Sequence, residues 1–273
     1  MKKMTSLPTI FIGHGNPMNA IQPNQFFDNW GRLGTSLPKP TAIVCISAHW
    51  LTQGSFVTTN PLPQTIHDFY GFPPELYKIQ YPAPGSPTLA DKLISMVSTQ
   101  KIHPDPNWGL DHGTWCILQA MYPEANIPVI QLSMDATLAL SQHYQIAREL
   151  ASLREEGILF LGSGNIVHNL RLMQRSNVAV EVPWASRFDK QVMACLRDHN
   201  HQALLKPEQF GEDAKLAINS GEHYLPLIYC MGLAKETDEV CFFNDSMDLG
   251  TISMTSVIYK EPGLELPGFS YKN

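Results

Sequence analysis

The 273-residue sequence has no long apolar run, no basic cluster and no paired cysteines. Each absence excludes something. No stretch approaches the ~20 consecutive apolar residues that a membrane-spanning helix needs. The apolar run LPTIFIG near the start breaks at once into GHGNP, too short for the core of a signal peptide followed by a cleavage site. Basic residues never run longer than Lys2-Lys3 and the formal net charge is −6, whereas a general binder of nucleic acid would carry a basic face. The five cysteines, Cys45, Cys116, Cys195, Cys230 and Cys241, are isolated and odd in number. Most stand in apolar contexts such as AIVCIS and LIYCMG, the pattern of buried, reduced thiols. A cytoplasmic protein with no nucleic-acid or membrane partner is expected. Local signatures are missing as well: there is no HExxH, no CxxC pair, no EF-hand loop, no GxSxG elbow, no GxGxxG and no Walker lysine.

What is present is a chain able to build a core. Apolar residues make up 44% of it, which excludes disorder. Apolar runs at 9–12, 42–47, 128–133 and 158–162 read as buried strands of a largely parallel sheet. Between them lie helical patterns. Ser86-Pro87 supplies an N-cap and a proline at the first helical position, predicting a helix to about Thr99. Residues 138–156 have apolar positions at helical spacing and stop at Gly157. Pro183-Trp184 opens another helix reaching roughly Asp198, and 222–234 reads as a short, mostly apolar one. Strands alternating with helices predict an α/β fold with the sheet covered on both faces. Residues 240–243 and 252–258 add late strands, antiparallel at an edge. No linker or repeat divides the chain, so residues 1–273 are expected to form a single catalytic domain. Residues 58–85, rich in proline and aromatics, form the one long aperiodic stretch, the kind that serves as a lid or binding loop. A surface excursion held by its own packing is the equal alternative.

Ten histidines are many for this length. His14, His49 and His168 each follow one of the strands, within GHGNP, SAHW and GSGNIVHN. Ligand sites of open α/β sheets form beyond the carboxyl ends of the strands. His223 opens the 222–234 helix, and His112 lies in the glycine-containing turn of DHGTW. Imidazole is both the commonest metal ligand and the usual acid/base near neutral pH. The residues thus point to a metal or acid/base site made of His14, His49, His168 and either His223 or His112. His143, His199 and His201 read as exposed or helix-end residues, while His103 has no special claim and His67 could reach the site from the 58–85 stretch.

Seven motifs in order, GHGNPM (13–18), SAHW (47–50), TIHDFYGFP (65–73), YPAPGSP (81–87), DHGTW (111–115), GSGNIVHNL (162–170) and EHYLPL (222–227), resemble the 4,5-DOPA extradiol dioxygenase family of the class III extradiol ring-cleaving dioxygenases. The resemblance spans roughly residues 9–256. It implies a single three-layer α/β/α domain with a mixed, mostly parallel central sheet, and a non-haem Fe(II) centre opening a catechol with O2. Carried onto this sequence, it implies His14, His49 and His223 as metal ligands, His168 as the catalytic histidine and a possible further ligand, and His112 as a catalytic residue lining the pocket. Many non-haem iron oxygenases complete their ligand set with a carboxylate. Here Glu222 adjoins His223, and helical neighbours point about 100° apart, so both should not ligate together. One divalent metal per chain is expected, Fe(II) for activity and Zn(II) readily taken up during purification. The implied partners are a small-molecule catechol, L-DOPA-like, and O2, in a monomer or small homo-oligomer. A zinc hydrolase on a similar scaffold, or a non-catalytic metal-binding protein, are the rival readings.

Overall fold

In the computed structural model, which describes residues 6–174 and 182–272 (so Lys2-Lys3 lies outside it), the strands assemble into one six-stranded sheet. Its order is Val129–Gln131, Ala42–Ser47, Ile158–Gly164, Thr9–Gly13, Ser256–Lys260, Glu239–Phe243. The first four run parallel, and Ser256–Lys260 is antiparallel to both of its neighbours. The mixed, mostly parallel α/β sheet is as expected. The late segment differs in two ways. It breaks into Ile252–Ser253 and Ser256–Lys260, and the latter lies inside the sheet, leaving Glu239–Phe243 at the edge.

Both faces of the sheet are covered, which explains why its strands are apolar without alternation. Ile10, Ile12, Ile43, Cys45, Leu159 and Leu161 face one core, together with Trp30, Leu33, Trp115 and Leu118 from the helices Gln25–Ser36 and His112–Met121. Phe11 packs on the other side with Phe188 and Val192 of the Pro183–Arg197 helix. Val44, Ile46 and Phe160 meet Ile146 and Leu150 of Leu140–Leu150. The Leu225–Leu233 helix is buried all round, as an apolar helix inside a core must be.

Helix boundaries shift in informative ways. Ser86 caps its helix by accepting from Leu89 N–H, but the helix ends at Met96. The 138–156 pattern is an α-helix, Leu140–Leu150, followed by a 3-10 segment, Ala151–Glu156, and it stops where Gly157 adopts φ 80°. The helix expected from 222 begins only at Leu225, so Glu222 and His223 lie in a turn. His143 is fully buried, contrary to the exposure expected of it, with Nδ1 3.0 Å from the Tyr229 hydroxyl. At the sheet end opposite the site histidines lies a buried ion pair, Arg154 with Asp238 at 2.7 Å. Among the described residues no helix is long and apolar enough to cross a membrane.

Candidate metal centre

The strand Ile158–Gly164 organises the site through its last residues. His14 N–H donates to the Gly164 carbonyl (3.0 Å), Ala48 N–H to Ser163 (2.9 Å), and Asn165 N–H to the His223 carbonyl (2.9 Å). Three loops from distant parts of the chain are thereby tied to one strand end, each bringing a histidine. Gly164 makes this possible: a Cβ there would stand 2.2 Å from the His223 carbonyl oxygen. That neighbour is backbone and cannot swing aside. Gly164→Ala is expected to cost about 1–3 kcal/mol by overpacking and to displace His223. A lowered urea midpoint together with weakened zinc binding is the expected measurement.

All five candidate histidines meet. His14 and His49 approach to 3.2 Å between their Nε2 atoms. The His223 ring lies 5.2 Å from each of theirs, centroid to centroid. His168 stacks on His223 at 3.5 Å with the planes 9° apart, and His112 lies 3.9 Å from the His49 ring. The potential donor atoms fall into two groups, His14 with His49 and His112, and His168 with Glu222 and His223, each within 4.8 Å. The implied ligand trio therefore draws on both groups. His67 stays outside, giving Nε2 to the Ile79 carbonyl side of its own loop, and His103 lies on the short strand Ile102–Asp105.

Hydrogen bonds determine the tautomers. The Ser163 hydroxyl donates its one proton to the Gly113 carbonyl (2.6 Å), so it accepts from His14 Nδ1 (2.9 Å). His14 Nε2 is then a bare lone pair aimed at His49. Glu222 Oε1 accepts from His223 Nδ1 (3.1 Å) and from the Ser220 hydroxyl (2.8 Å). Asp68 Oδ2 faces His49 Nδ1 at 3.4 Å and accepts from His112 Nδ1 at 2.8 Å. For His168, no hydrogen-bond partner of either ring nitrogen occurs among the described residues.

This leaves His49 with a conflict. With its proton on Nδ1, two lone pairs oppose each other across 3.2 Å; with it on Nε2, a bare nitrogen opposes a carboxylate. Double protonation is no escape, because burial and then the nearby His112 push His49 down to about 3. A cation between the two Nε2 atoms resolves it. Nitrogens about 2.0–2.1 Å from one ion at a near-tetrahedral angle stand about 3.3 Å apart, so this pair of donors fits a metal. Burial foremost, then neighbouring imidazoles, also holds His14 and His223 well below the usual histidine range. Neutral imidazoles are the form that binds metal. Burial brings His168 down to about 4.

Two supports escaped the sequence reading. Asp111 is fully buried and caps the His112–Met121 helix by accepting from Thr114 N–H. Its carboxylate also accepts from the Ser47 hydroxyl and the Gln131 amide, each at 2.7 Å. It thus ties that helix to two strands beneath the site, and burial raises it to about 6. Asp68 belongs to the 58–85 stretch, which has little regular structure beyond the 3-10 turn Leu76–Lys78. Burial pushes Asp68 up, but the hydrogen bonds it accepts from the His112 side chain and backbone outweigh it and hold the carboxyl below its usual range. The HD pair in IHDFYGFP was the only available signal.

The chain matches, over residues 4–256, the family described as catalytic LigB subunit of aromatic ring-opening dioxygenase. A 4,5-DOPA dioxygenase extradiol of Escherichia coli (strain K12) is 42% identical over 256 residues, 93% of this chain and 94% of its own. One from Beta vulgaris is 38% identical, covering 91% and 94%. The crystal structure of an uncharacterized Escherichia coli K12 protein superposes with a TM-score of 0.81 at 37% identity, over 92% of this chain and 99% of that one. With matching motifs, fold and a converged histidine cluster, the chain belongs to the family of catalytic LigB subunits of aromatic ring-opening dioxygenases.

Proposed function

We propose that the protein opens the ring of an L-DOPA-like catechol beside its two hydroxyls, adding both atoms of O2, at one divalent metal held by Nε2 of His14, His49 and His223. Fe(II) is the proposed active metal. The observation that carries this reading is that the outer nitrogen of each imidazole faces an oxygen acceptor, Ser163, Asp68 or Glu222. Such acceptors are the usual supports of metal-bound histidine, and they leave three Nε2 atoms for one ion. The names of the relatives, 4,5-DOPA dioxygenases, support the substrate class. When bound, the ion supplies Lewis acidity that acidifies the catechol hydroxyls, and iron adds the redox exchange with O2 that zinc lacks.

The protein's own groups supply the rest. His168, neutral and with neither ring nitrogen hydrogen-bonded among the described residues, takes a proton from a substrate hydroxyl and later returns it. His112 gives its Nδ1 to Asp68 and so keeps Nε2 for substrate or O2. Phe69 packs edge-on against the His112 ring at 5.4 Å, and Trp50, the residue after His49, stacks on Trp108 at 5.3 Å. Glu222 Oε1 already accepts from His223 and Ser220, and Asp68 accepts from His112, so both carboxylates beside the proposed ligands serve as supports rather than as a hydrolase's base.

The test is to strip the metal, reload with Fe(II) without oxygen, add L-DOPA, then admit O2 while following its uptake and the product mass. Stoichiometric uptake and a product heavier by both oxygen atoms are expected. The zinc-loaded protein should bind the catechol, seen as a shift in catechol absorbance, yet consume no O2. Elemental analysis of untreated protein should find zinc, which outcompetes Fe(II) in the usual affinity order. Absence of uptake with L-DOPA and simpler catechols alike, with turnover of an ester or amide by the zinc form, would sink the proposal.

A further inference from the structure

Asp68 is the least expected member of the cluster. It lies in irregular backbone, yet it is firmly held. Ile66 N–H donates to the Leu110 carbonyl and Leu110 N–H to Gln64, each at 2.7 Å. The Trp115 indole donates to the Ile66 carbonyl at 2.9 Å. Phe69, the next residue, packs against the rings of His112, Trp115, Phe72 and Tyr77. The carboxylate is therefore delivered to one place rather than swung in from solvent, and its side chain is only 16% exposed.

Its contacts are specific. Oδ1 accepts the His112 backbone N–H at 2.8 Å, and Oδ2 accepts the His112 Nδ1–H at 2.8 Å while facing His49 Nδ1 at 3.4 Å. A carboxylate in the ionised form only accepts. His112 is then obliged to carry hydrogen on Nδ1, and so is His49 once a cation sits between the His14 and His49 Nε2 atoms; both then turn an Nε2 lone pair inward. We infer that Asp68 is a positioning residue that selects the tautomer of two histidines at once, His49 on the metal side and His112 on the substrate side. This rests on the reading of His49 as a ligand and His112 as a pocket residue. One carboxylate from the 58–85 segment thus couples metal affinity to the orientation of the group that meets substrate.

Asn is the informative substitution because it keeps the shape. Its amide offers one acceptor and one donor. With its oxygen on the His112 backbone N–H, its NH2 meets His112 Nδ1 and drives that ring to the Nε2–H form. Turned the other way, NH2 opposes the backbone N–H. No orientation reproduces the carboxylate.

The experiment compares wild type, D68N, D68A and D68E as full chains. Side-chain 15N shifts of labelled histidines report tautomers in the metal-free and zinc-loaded protein. Competition with a chromophoric chelator reports zinc affinity. Steady-state kinetics at saturating Fe(II) separate kcat from KM. Wild type should show His112 as Nδ1–H with or without metal. D68N should lose that signature, bind zinc about 10–100-fold more weakly, the usual effect of removing such a support, and lose kcat that added iron does not restore. D68E should recover part of both effects, since it restores an acceptor. D68N retaining wild-type tautomers and a zinc affinity within twofold would overturn the inference. Should D68A fail to fold, D68N still decides the matter by being isosteric. Should wild type bind no metal, the proposed function falls, while the metal-free tautomers still decide the role of Asp68.

Discussion

His168→Ala is expected to keep its metal and lose about 10²–10⁴-fold in kcat, the usual worth of a general acid/base. His14→Ala and His49→Ala are expected to lose the metal and with it all turnover. The contrast follows from the outer nitrogens. His14 is held through Ser163 and His49 faces Asp68, whereas the His168 ring only lies flat on His223. A ligand has to be steered by its far side, but a proton carrier has to be free to exchange. Zinc content by mass spectrometry, measured on the same preparations as O2 uptake, separates the two classes. A metal-free His168→Ala protein would make His168 a fourth ligand and leave the proton transfer to His112.

Arg154→Ala is expected to cost about 3–5 kcal/mol of stability, a large effect far from the site. The guanidinium is wholly buried and reaches Asp238, the Leu7 carbonyl, the Leu233 carbonyl and the Tyr259 carbonyl. Removing it strands the Asp238 carboxylate, which would keep only the Lys235 backbone N–H at 2.9 Å and already has Oδ1 without a partner. Replacing both members with apolar residues, Arg154→Met with Asp238→Leu, should recover much of the loss, because the isolated charge causes most of it. Urea unfolding midpoints measure both. Zinc affinity of the folded fraction should be unchanged, since the pair sits at the far end of the sheet.

The sequence made the parallel strands and their histidines readable for one reason. A strand buried on both faces is a short apolar block, and the chemistry of such a sheet gathers where the blocks end. His14, His49 and His168 could be placed that way without knowing which strand neighbours which. The order itself was not readable, because it depends on pairings such as Ile10 with Ile258 that leave no local trace. His223 was harder, since its helix begins three residues later than its apolar pattern suggested. That change matters chemically. In a turn, Glu222 can fold back onto His223 Nδ1, which adjacent residues on a helix could not do. His143 misled because a lone polar residue at helical spacing reads as surface, yet Tyr229 provides it with a buried partner. Asp68 had no periodicity to betray it. Its meaning comes only from the Gln64–Leu110 and Thr65–Leu110 contacts that lay its segment over the site.

The position of Ser256–Lys260 between Thr9–Gly13 and Glu239–Phe243 sets a timetable for synthesis. Thr9–Gly13 is apolar and is made before both of its neighbours in the sheet. One arrives with residues 158–164 and the other only with residues 256–260. At about 5–20 residues per second, both edges of Thr9–Gly13 stay open for roughly 7–30 seconds, a window in which a chaperone that covers short apolar strands would raise the yield of folded chains.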